Sequence, residues 1–236
     1  MKKILFACIV VTVILAAAFV PPQASITGAW TLQDGSNTKN LVVQDGYLSQ
    51  TTFDIAAKKF HETKGGVAKI SGNKISLQYE FSTANKELIG TAEEISFNVD
   101  KGNLVITQGG KKETYKRVDD NKGPLAGVWY MSGRVQNGQE SNRAYNQARK
   151  TIKIMSGTRF QWVQVNTESK QTGASGGGTY TFANGKYTEN IEFFTRDSSR
   201  VGASLTFDDS VEGSKWTHKG LSSAGQAMHE VWSKVP

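Results

Sequence analysis

Apolar and polar residues alternate with a period of two through most of the chain beyond its first two dozen residues. Leu41-Val42-Val43 runs into Asp45-Gly46, Val67-Ala68-Lys69-Ile70 into Gly72-Asn73, and Ile75-Ser76-Leu77-Gln78-Tyr79 into a polar stretch at 82–86. Phe97-Asn98-Val99, Ile152-Lys153-Ile154, Arg159-Phe160-Gln161-Trp162-Val163 and Thr179-Tyr180-Thr181-Phe182 continue the pattern, the last followed by Asn184-Gly185. Successive side chains of a strand point to opposite faces, so this period predicts half-buried strands, and the Gly-containing pairs between them predict tight hairpins. Sustained helical periodicity is almost absent. The expectation is an all-β, antiparallel protein.

The pattern also repeats. Gly28-Ala29-Trp30 returns as Gly127-Val128-Trp129, and Glu113-Thr114-Tyr115-Lys116-Arg117-Val118 as Glu230-Val231-Trp232-Ser233-Lys234-Val235. Between these ends Gly65-Gly66-Val67 matches Gly177-Gly178-Thr179, Tyr79-Glu80-Phe81 matches Ile191-Glu192-Phe193, and Ile89-Gly90 matches Val201-Gly202, all at one offset of 112 residues. Colinear matches of this kind imply two copies of one module. Each copy has room for about eight strands of five to seven residues, enough to close a small barrel. The expected organisation is a leader at 1–24, a barrel at 25–119 and a second at 120–236, with 119–124 as the linker.

A Gly-x-Trp near the first strand, a β-meander, and a last strand with an aromatic followed by a basic residue resemble the lipocalin and calycin pattern. The second copy is similar to lipocalin-like domains of bacterial secreted proteins of unknown function. Leu125-Ala126-Gly127-Val128-Trp129, Phe160-Gln161-Trp162, Gly176-Gly177-Gly178-Thr179-Tyr180, Tyr187-Thr188-Glu189, Val201-Gly202, Lys215-Trp216 and Glu230-Val231-Trp232 carry that likeness. It implies two tandem up-and-down barrels. It also implies that the Gly-x-Trp tryptophan plugs the closed end beneath a basic residue of the last strand, pairing Trp30 with Arg117 and Trp129 with Lys234 as structural residues. Such a cation–π contact contributes about 0.5 to 2 kcal/mol.

Lys2 and Lys3 precede an apolar run over 4–20, followed by Pro21-Pro22-Gln23-Ala24-Ser25. This order reads as a signal peptide cleaved near Ala24, with an uncleaved membrane anchor as the alternative. The expected location is secreted or periplasmic, in the cell envelope. The single cysteine, Cys8, lies inside the apolar run, so the mature chain would contain no disulfide, thiolate metal site or cysteine nucleophile. Without the leader lysines the formal charge falls from +7 to +5, a mild excess without the dense basic and aromatic stripe of a nucleic-acid binder. No nucleic-acid partner is expected, and the only membrane contact would be the leader itself.

Ligand-binding features concentrate in the second copy. Arg117 is the only arginine of the first copy, against six in the second, and the second holds 13 aromatic residues against 8. Between the first two strands the second copy carries 12 extra residues, read as a lid whose 139–150 portion forms a short helix, with Arg143, Tyr145 and Arg149 facing the barrel mouth. Strand alternation puts Phe160 with Trp162, Tyr180 with Phe182, and Trp216 with His218 on common faces. Phe160, Trp162, Tyr180 and Trp216 are therefore the candidate apolar lining. Arg159 alternates with Phe160 and points the other way. The competing reading is that these rings simply pack the interior.

Other motifs carry less. Gly173-Ala174-Ser175-Gly176-Gly177 fits a nucleophile elbow, but a β pattern follows it, so it is read as a glycine-rich hairpin loop. His218, His229 and Glu230 have no diagnostic metal spacing, and no cofactor is expected; His218 as a haem ligand is the nearest exception. Glu189 and Glu192 fall on opposite strand faces, and the recurrence of Glu80 as Glu192 and of Glu113 as Glu230 points to a fold role such as hydrogen bonding to backbone amides. The expected function is non-catalytic binding of a small hydrophobic or amphipathic molecule, capable of carrying negative charge, in the second barrel. The alternatives are an envelope module that recognises a glycan or protein by its surface, and a barrel-type isomerase or hydrolase using His218 or Glu192.

Overall fold

The structure is a computed structural model that describes residues 25–236, so the leader expected at 1–24 lies outside the described residues. Eight strands form the first unit: β1 (Gly28–Asp34), β2 (Asn37–Gln44), β3 (Tyr47–Asp54), β4 (Lys59–Ser71), β5 (Lys74–Ser82), β6 (Ala92–Asp100), β7 (Asn103–Gln108) and β8 (Lys111–Asp119). The second unit comprises β9 (Gly127–Gln136), β10 (Gln139–Glu140), β11 (Arg149–Met155), β12 (Arg159–Asn166), β13 (Gln171–Ala183), β14 (Lys186–Phe194), β15 (Ser204–Glu212), β16 (Lys215–Leu221) and β17 (Ala227–Lys234). Each unit is an antiparallel meander closed on itself, by β1 against β8 and by β9 against β17. The protein is thus two eight-stranded antiparallel barrels in tandem, an arrangement compatible with tandem calycin-like modules.

The same device closes one end of each barrel. Trp30 and Trp129 are fully buried and donate from Nε1 to the carbonyls of Ile26 and Leu125, both at 2.8 Å. Arg117 lies 3.9 Å from the Trp30 ring centre and Lys234 Nζ 4.7 Å from that of Trp129, so each indole is held between a carbonyl and a cation.

Both barrels carry a bulge at the same place, between Gly65 and Gly66 in β4 and between Gly177 and Gly178 in β13. Glycine is required there by crowding: a Cβ on Gly66 would lie 2.0 Å from the Gln78 carbonyl oxygen, and one on Gly178 would lie 1.9 Å from that of Asn190. The bulge gives the opposite strand one extra residue, Glu80 or Glu192, and so turns both Glu80 and Phe81, or Glu192 and Phe193, away from the barrel interior. These recurrent glutamates meet side chains, not the backbone amides expected from sequence. Glu80 accepts from Tyr47 and Lys150, and Glu192 from Arg159.

The outward bulges serve the packing of the barrels on each other. Ala29, Val42, Tyr47 and Phe81 of the first meet Val128, Ile152, Ile154, Val163 and Val165 of the second in a buried apolar layer. Phe193 stacks on Phe60 with ring centres 5.8 Å apart and lies 5.1 Å from Phe53. At its centre Gln161 accepts from Thr51 at 2.9 Å and donates to Thr63 at 2.7 Å. The contact relates like to like: β2 meets β11, β5 packs on β12 and β13, and β14 packs on β3 and β4. Because a shift of 112 residues converts Val42 into Ile154 and Phe81 into Phe193, the interface has pseudo-twofold symmetry. Asp119, at the end of β8, fastens the linker by accepting from Ser156 Oγ and Thr158 Oγ1, both at 2.7 Å.

Two expectations need correction. Residues 139–150 form no helix: Asn137 and Gly138 both take positive φ, reverse the chain, and lay β10 antiparallel to β9. An Asn-Gly pair is a hairpin signal, and here it overrides the helix-compatible composition that follows. The glycine-rich 173–177 stretch is not a loop either but the interior of β13, where small residues let β12 and β14 approach closely.

Candidate functional site

The two barrels share a backbone, so the first serves as a reference for the second. Equivalent inward positions can be matched by register. Leu41 opposes Trp30 as Lys153 opposes Trp129, Leu77 opposes Glu93 as Glu189 opposes Leu205, and Phe97 opposes Ile106 as Asp209 opposes His218. Four buried apolar residues of the first barrel, Leu41, Leu77, Phe97 and Ile106, are thus replaced by Lys153, Glu189, Asp209 and His218, all buried as well. Nearer the open end the substitution runs the other way. Gln50, Tyr79, Glu93 and Gln108 in the first barrel stand where Trp162, Ile191, Leu205 and Gly220 stand in the second.

The first barrel therefore has an apolar floor and a polar mouth around a space of about 390 Å³, where most groups pair with one another while Gln50 Oε1 keeps no partner among the described residues. Gln108 Nε2 donates to Tyr79 Oη at 2.9 Å and to Glu93 Oε2 at 2.8 Å, and Lys39 Nζ donates to Glu113 Oε1 at 2.8 Å. The second barrel has an apolar throat above a charged floor, enclosing a cavity of about 210 Å³. Met131, Trp162, Phe194, Leu205 and Met228 line the throat, with Trp162 and Phe194 ring centres 5.7 Å apart. The 222–223 turn sits at its edge, held where Arg200 donates to the Ser223 carbonyl.

Charge on the floor is only partly satisfied. Lys153 Nζ lies 3.8 Å from Glu189 Oε2, beyond hydrogen-bond reach, and makes no hydrogen bond among the described residues. Aromatic rings surround it instead, with the centres of Trp216, Tyr187, Trp232 and Phe160 at 4.7, 4.9, 5.4 and 5.5 Å. Glu189 accepts from Tyr187 Oη at 3.2 Å; burial first, and then the Glu189 charge, push this hydroxyl well above its ordinary range, so it stays a donor. Asp209 accepts from Trp216 Nε1 at 2.8 Å and holds His218 Nδ1 at 3.0 Å. Trp232, which also lines the cavity, keeps a buried indole N–H with no partner among the described residues. A buried donor without an acceptor is costly, and an ammonium in an aromatic cage beside it makes this floor rich in donors for an acceptor that enters the cavity.

The throat opens into a wide vestibule bounded by β11, β12, β13 and the first barrel's 82–86 turn, of about 870 Å³. Met131, Arg134, Thr151 and Gln164 belong to both spaces, so cavity and vestibule are continuous.

The sequence-derived candidates fall in three places. Phe160 and Trp162 line the cavity, whereas Arg143 and Arg149 line the vestibule. Trp216 and Tyr180 are buried deeper: Trp216 beneath Lys153, Tyr180 donating to the Ser156 carbonyl at 2.6 Å. Tyr145 is not at the mouth, because its hydroxyl meets Tyr47 of the first barrel and its ring packs on Tyr130. Arg159 points outward to Glu192, as its alternation with Phe160 requires. Glu230, the counterpart of Glu113, pairs with Arg134 at 3.1 Å and not with backbone amides. A haem at His218 does not fit, since the Phe207 ring packs 4.1 Å from the imidazole and Asp209 already holds its Nδ1 at 3.0 Å. Among the described residues no cluster of three His, Cys, Asp or Glu is placed to hold a metal ion.

No family model matches the chain, and no curated protein matches it. Among solved structures, a DnaN sliding clamp (DNA polymerase III subunit beta) from Bartonella birtlesii bound to griselimycin aligns over 89% of this chain and 76% of its own. It does so at 7% identity and a TM-score of 0.15, which carries no argument about fold or function.

Proposed function

We infer that the second barrel binds a small amphipathic molecule, with the apolar part in the throat of Trp162, Phe160 and Leu205 and a polar group on the floor of Lys153, Glu189 and Trp232. The observation that carries this reading is the exchange of Leu41, Leu77, Phe97 and Ile106 for Lys153, Glu189, Asp209 and His218 within one backbone. Four titratable side chains are not needed to close this fold, as the first barrel closes without them. Burying them is unfavourable unless they are paired or meet a ligand. In this reading the protein is a binder and not an enzyme, its first barrel is a structural partner, and the leader pattern sends it to the cell envelope.

The test is native mass spectrometry of residues 25–236 purified from the protein's own source without added ligand. A retained small molecule that disappears on Trp162→Gln, which restores the first barrel's residue, supports the reading. A mass equal to the polypeptide alone, together with Trp162 fluorescence unmoved by the amphiphiles named below, overturns it.

A further inference from the structure

The vestibule adds a second recognition element. Its lining includes Lys86, Arg134, Arg143, Arg149, Lys150, Lys170 and Arg196 and no carboxylate. The corresponding mouth of the first barrel is lined by Lys39, Lys64 and Lys111 together with Glu62, Glu93 and Glu113. Three vestibule cations have partners: Arg134 with Glu230, Lys150 with Glu80, and Lys170 with Glu87. Lys86, Arg143, Arg149 and Arg196 have no carboxylate within 4.0 Å among the described residues. Arg143 comes from the segment that the first copy lacks, and Arg149 stands where the first copy has Asn37, so this charge, like that of the floor, is particular to the second barrel.

Resting on the binding reading above, we propose that the ligand has two polar ends: an oxyanion held in the vestibule by Arg143 and Arg149, and an uncharged acceptor such as a hydroxyl or carbonyl on the floor. The orientation follows from charge. On the floor Lys153 already has Glu189 3.8 Å away, so a second anion there would meet a carboxylate. In the vestibule the spare charge is positive and solvated, a setting in which guanidinium groups bind oxyanions through paired N–H donors. Arg149, Thr151 and Lys153 share one face of β11, and four residues of strand separate the two ends by roughly 13 Å. An extended chain of eight or nine bonds spans roughly 10 to 11 Å at the spacing of backbone atoms, and the two side chains close the remainder.

Three probes of equal carbon number test this: 8-hydroxyoctanoate, octanoate and octane-1,8-diol, titrated by calorimetry and by Trp162 fluorescence. The wild-type protein should bind 8-hydroxyoctanoate about tenfold tighter than either of the others. Arg143→Gln with Arg149→Gln, both on the solvent side, should abolish the preference for 8-hydroxyoctanoate over the diol. Lys153→Met with Glu189→Leu, which restores an apolar pair and so protects folding, should reduce it to the level of octanoate. If the floor variant abolishes the preference for carboxylate and the arginine variant does not, the anion sits on the floor and the proposed orientation is wrong, although the barrel binds ligand. If all three probes bind alike, two-ended recognition is wrong. If none binds, the binding reading itself fails.

Discussion

Replacing Lys153 and Glu189 by leucine, singly and together, turns the comparison between the barrels into a measurement. The ammonium and carboxylate lie 3.8 Å apart, and at an effective dielectric near 20 their attraction is about 4 kcal/mol. Lys153→Leu leaves Glu189 buried with only the Tyr187 hydroxyl, and should cost about 3 kcal/mol, within the range for breaking a buried pair. Glu189→Leu should cost less, about 2 kcal/mol, because four aromatic rings still face the ammonium. The double variant recreates Leu41 and Leu77 of the first barrel and should be as stable as wild type or up to about 2 kcal/mol more stable, since apolar pairs commonly replace buried ion pairs without loss. Urea unfolding followed by tryptophan fluorescence gives the cycle, and a scan should show the same order at about 2 to 4 °C per kcal/mol. A double variant about 5 kcal/mol less stable than wild type would refute the argument, for then the two groups do not couple, each stabilises the fold by itself, and neither needs a ligand to explain it.

Three further outcomes follow from other parts of the molecule. Gly178→Ala should cost more than about 3 kcal/mol or prevent folding, because its Cβ would meet the Asn190 carbonyl oxygen at 1.9 Å; a loss below 1 kcal/mol by denaturant titration would mean that the bulge is not as described. Gln161→Leu removes the bridge to Thr51 and Thr63 and should cost about 1 to 2 kcal/mol, softened because the two threonines still bond each other; an unchanged urea midpoint would contradict it. Burial alone would raise the Glu113 carboxyl, but hydrogen bonds from Lys39, Lys111 and Tyr115 outweigh it and hold the group at about 2, below its ordinary 4.5. A depressed carboxyl stabilises the fold above its unfolded value and loses that contribution as pH falls, so stability should drop by about 1 kcal/mol between pH 4.5 and 2 after allowance for solvent screening. Glu113→Gln should flatten that acid limb, and an identical limb in the variant would show that Glu113 does not cause it.

The barrels themselves were legible in the chain because period-two alternation and the 112-residue offset are properties of the backbone path. The charged floor was not. Ile152-Lys153-Ile154 reads as a strand with its isoleucines inward and its lysine in solvent, and the structure reverses this: both isoleucines face the first barrel while Lys153 points into the cavity. Alternation reports which residues share a face, not which face is interior, and it misleads where the outer face is also buried. The signal that finds the floor is the repeat itself, since shifting Lys153 and Glu189 by 112 residues lands on Leu41 and Leu77. The turn at Asn137-Gly138 was readable too, but the polar residues after it suggested a helix. Tyr145 could not have been placed from sequence, because its partner Tyr47 lies in the other module.

The like-to-like interface between the barrels has a consequence for how one cavity came to differ from the other. Two separate copies of a single barrel joined through this surface would be products of one gene, and a lysine placed in one interior would appear in both. Covalent linkage through 119–124 removes that constraint. It fixes each barrel's neighbour at high effective concentration, so the surface needs no affinity sufficient for free subunits to find each other. One interior can then keep its apolar filling and support the pair, while the other gives up packing for charge.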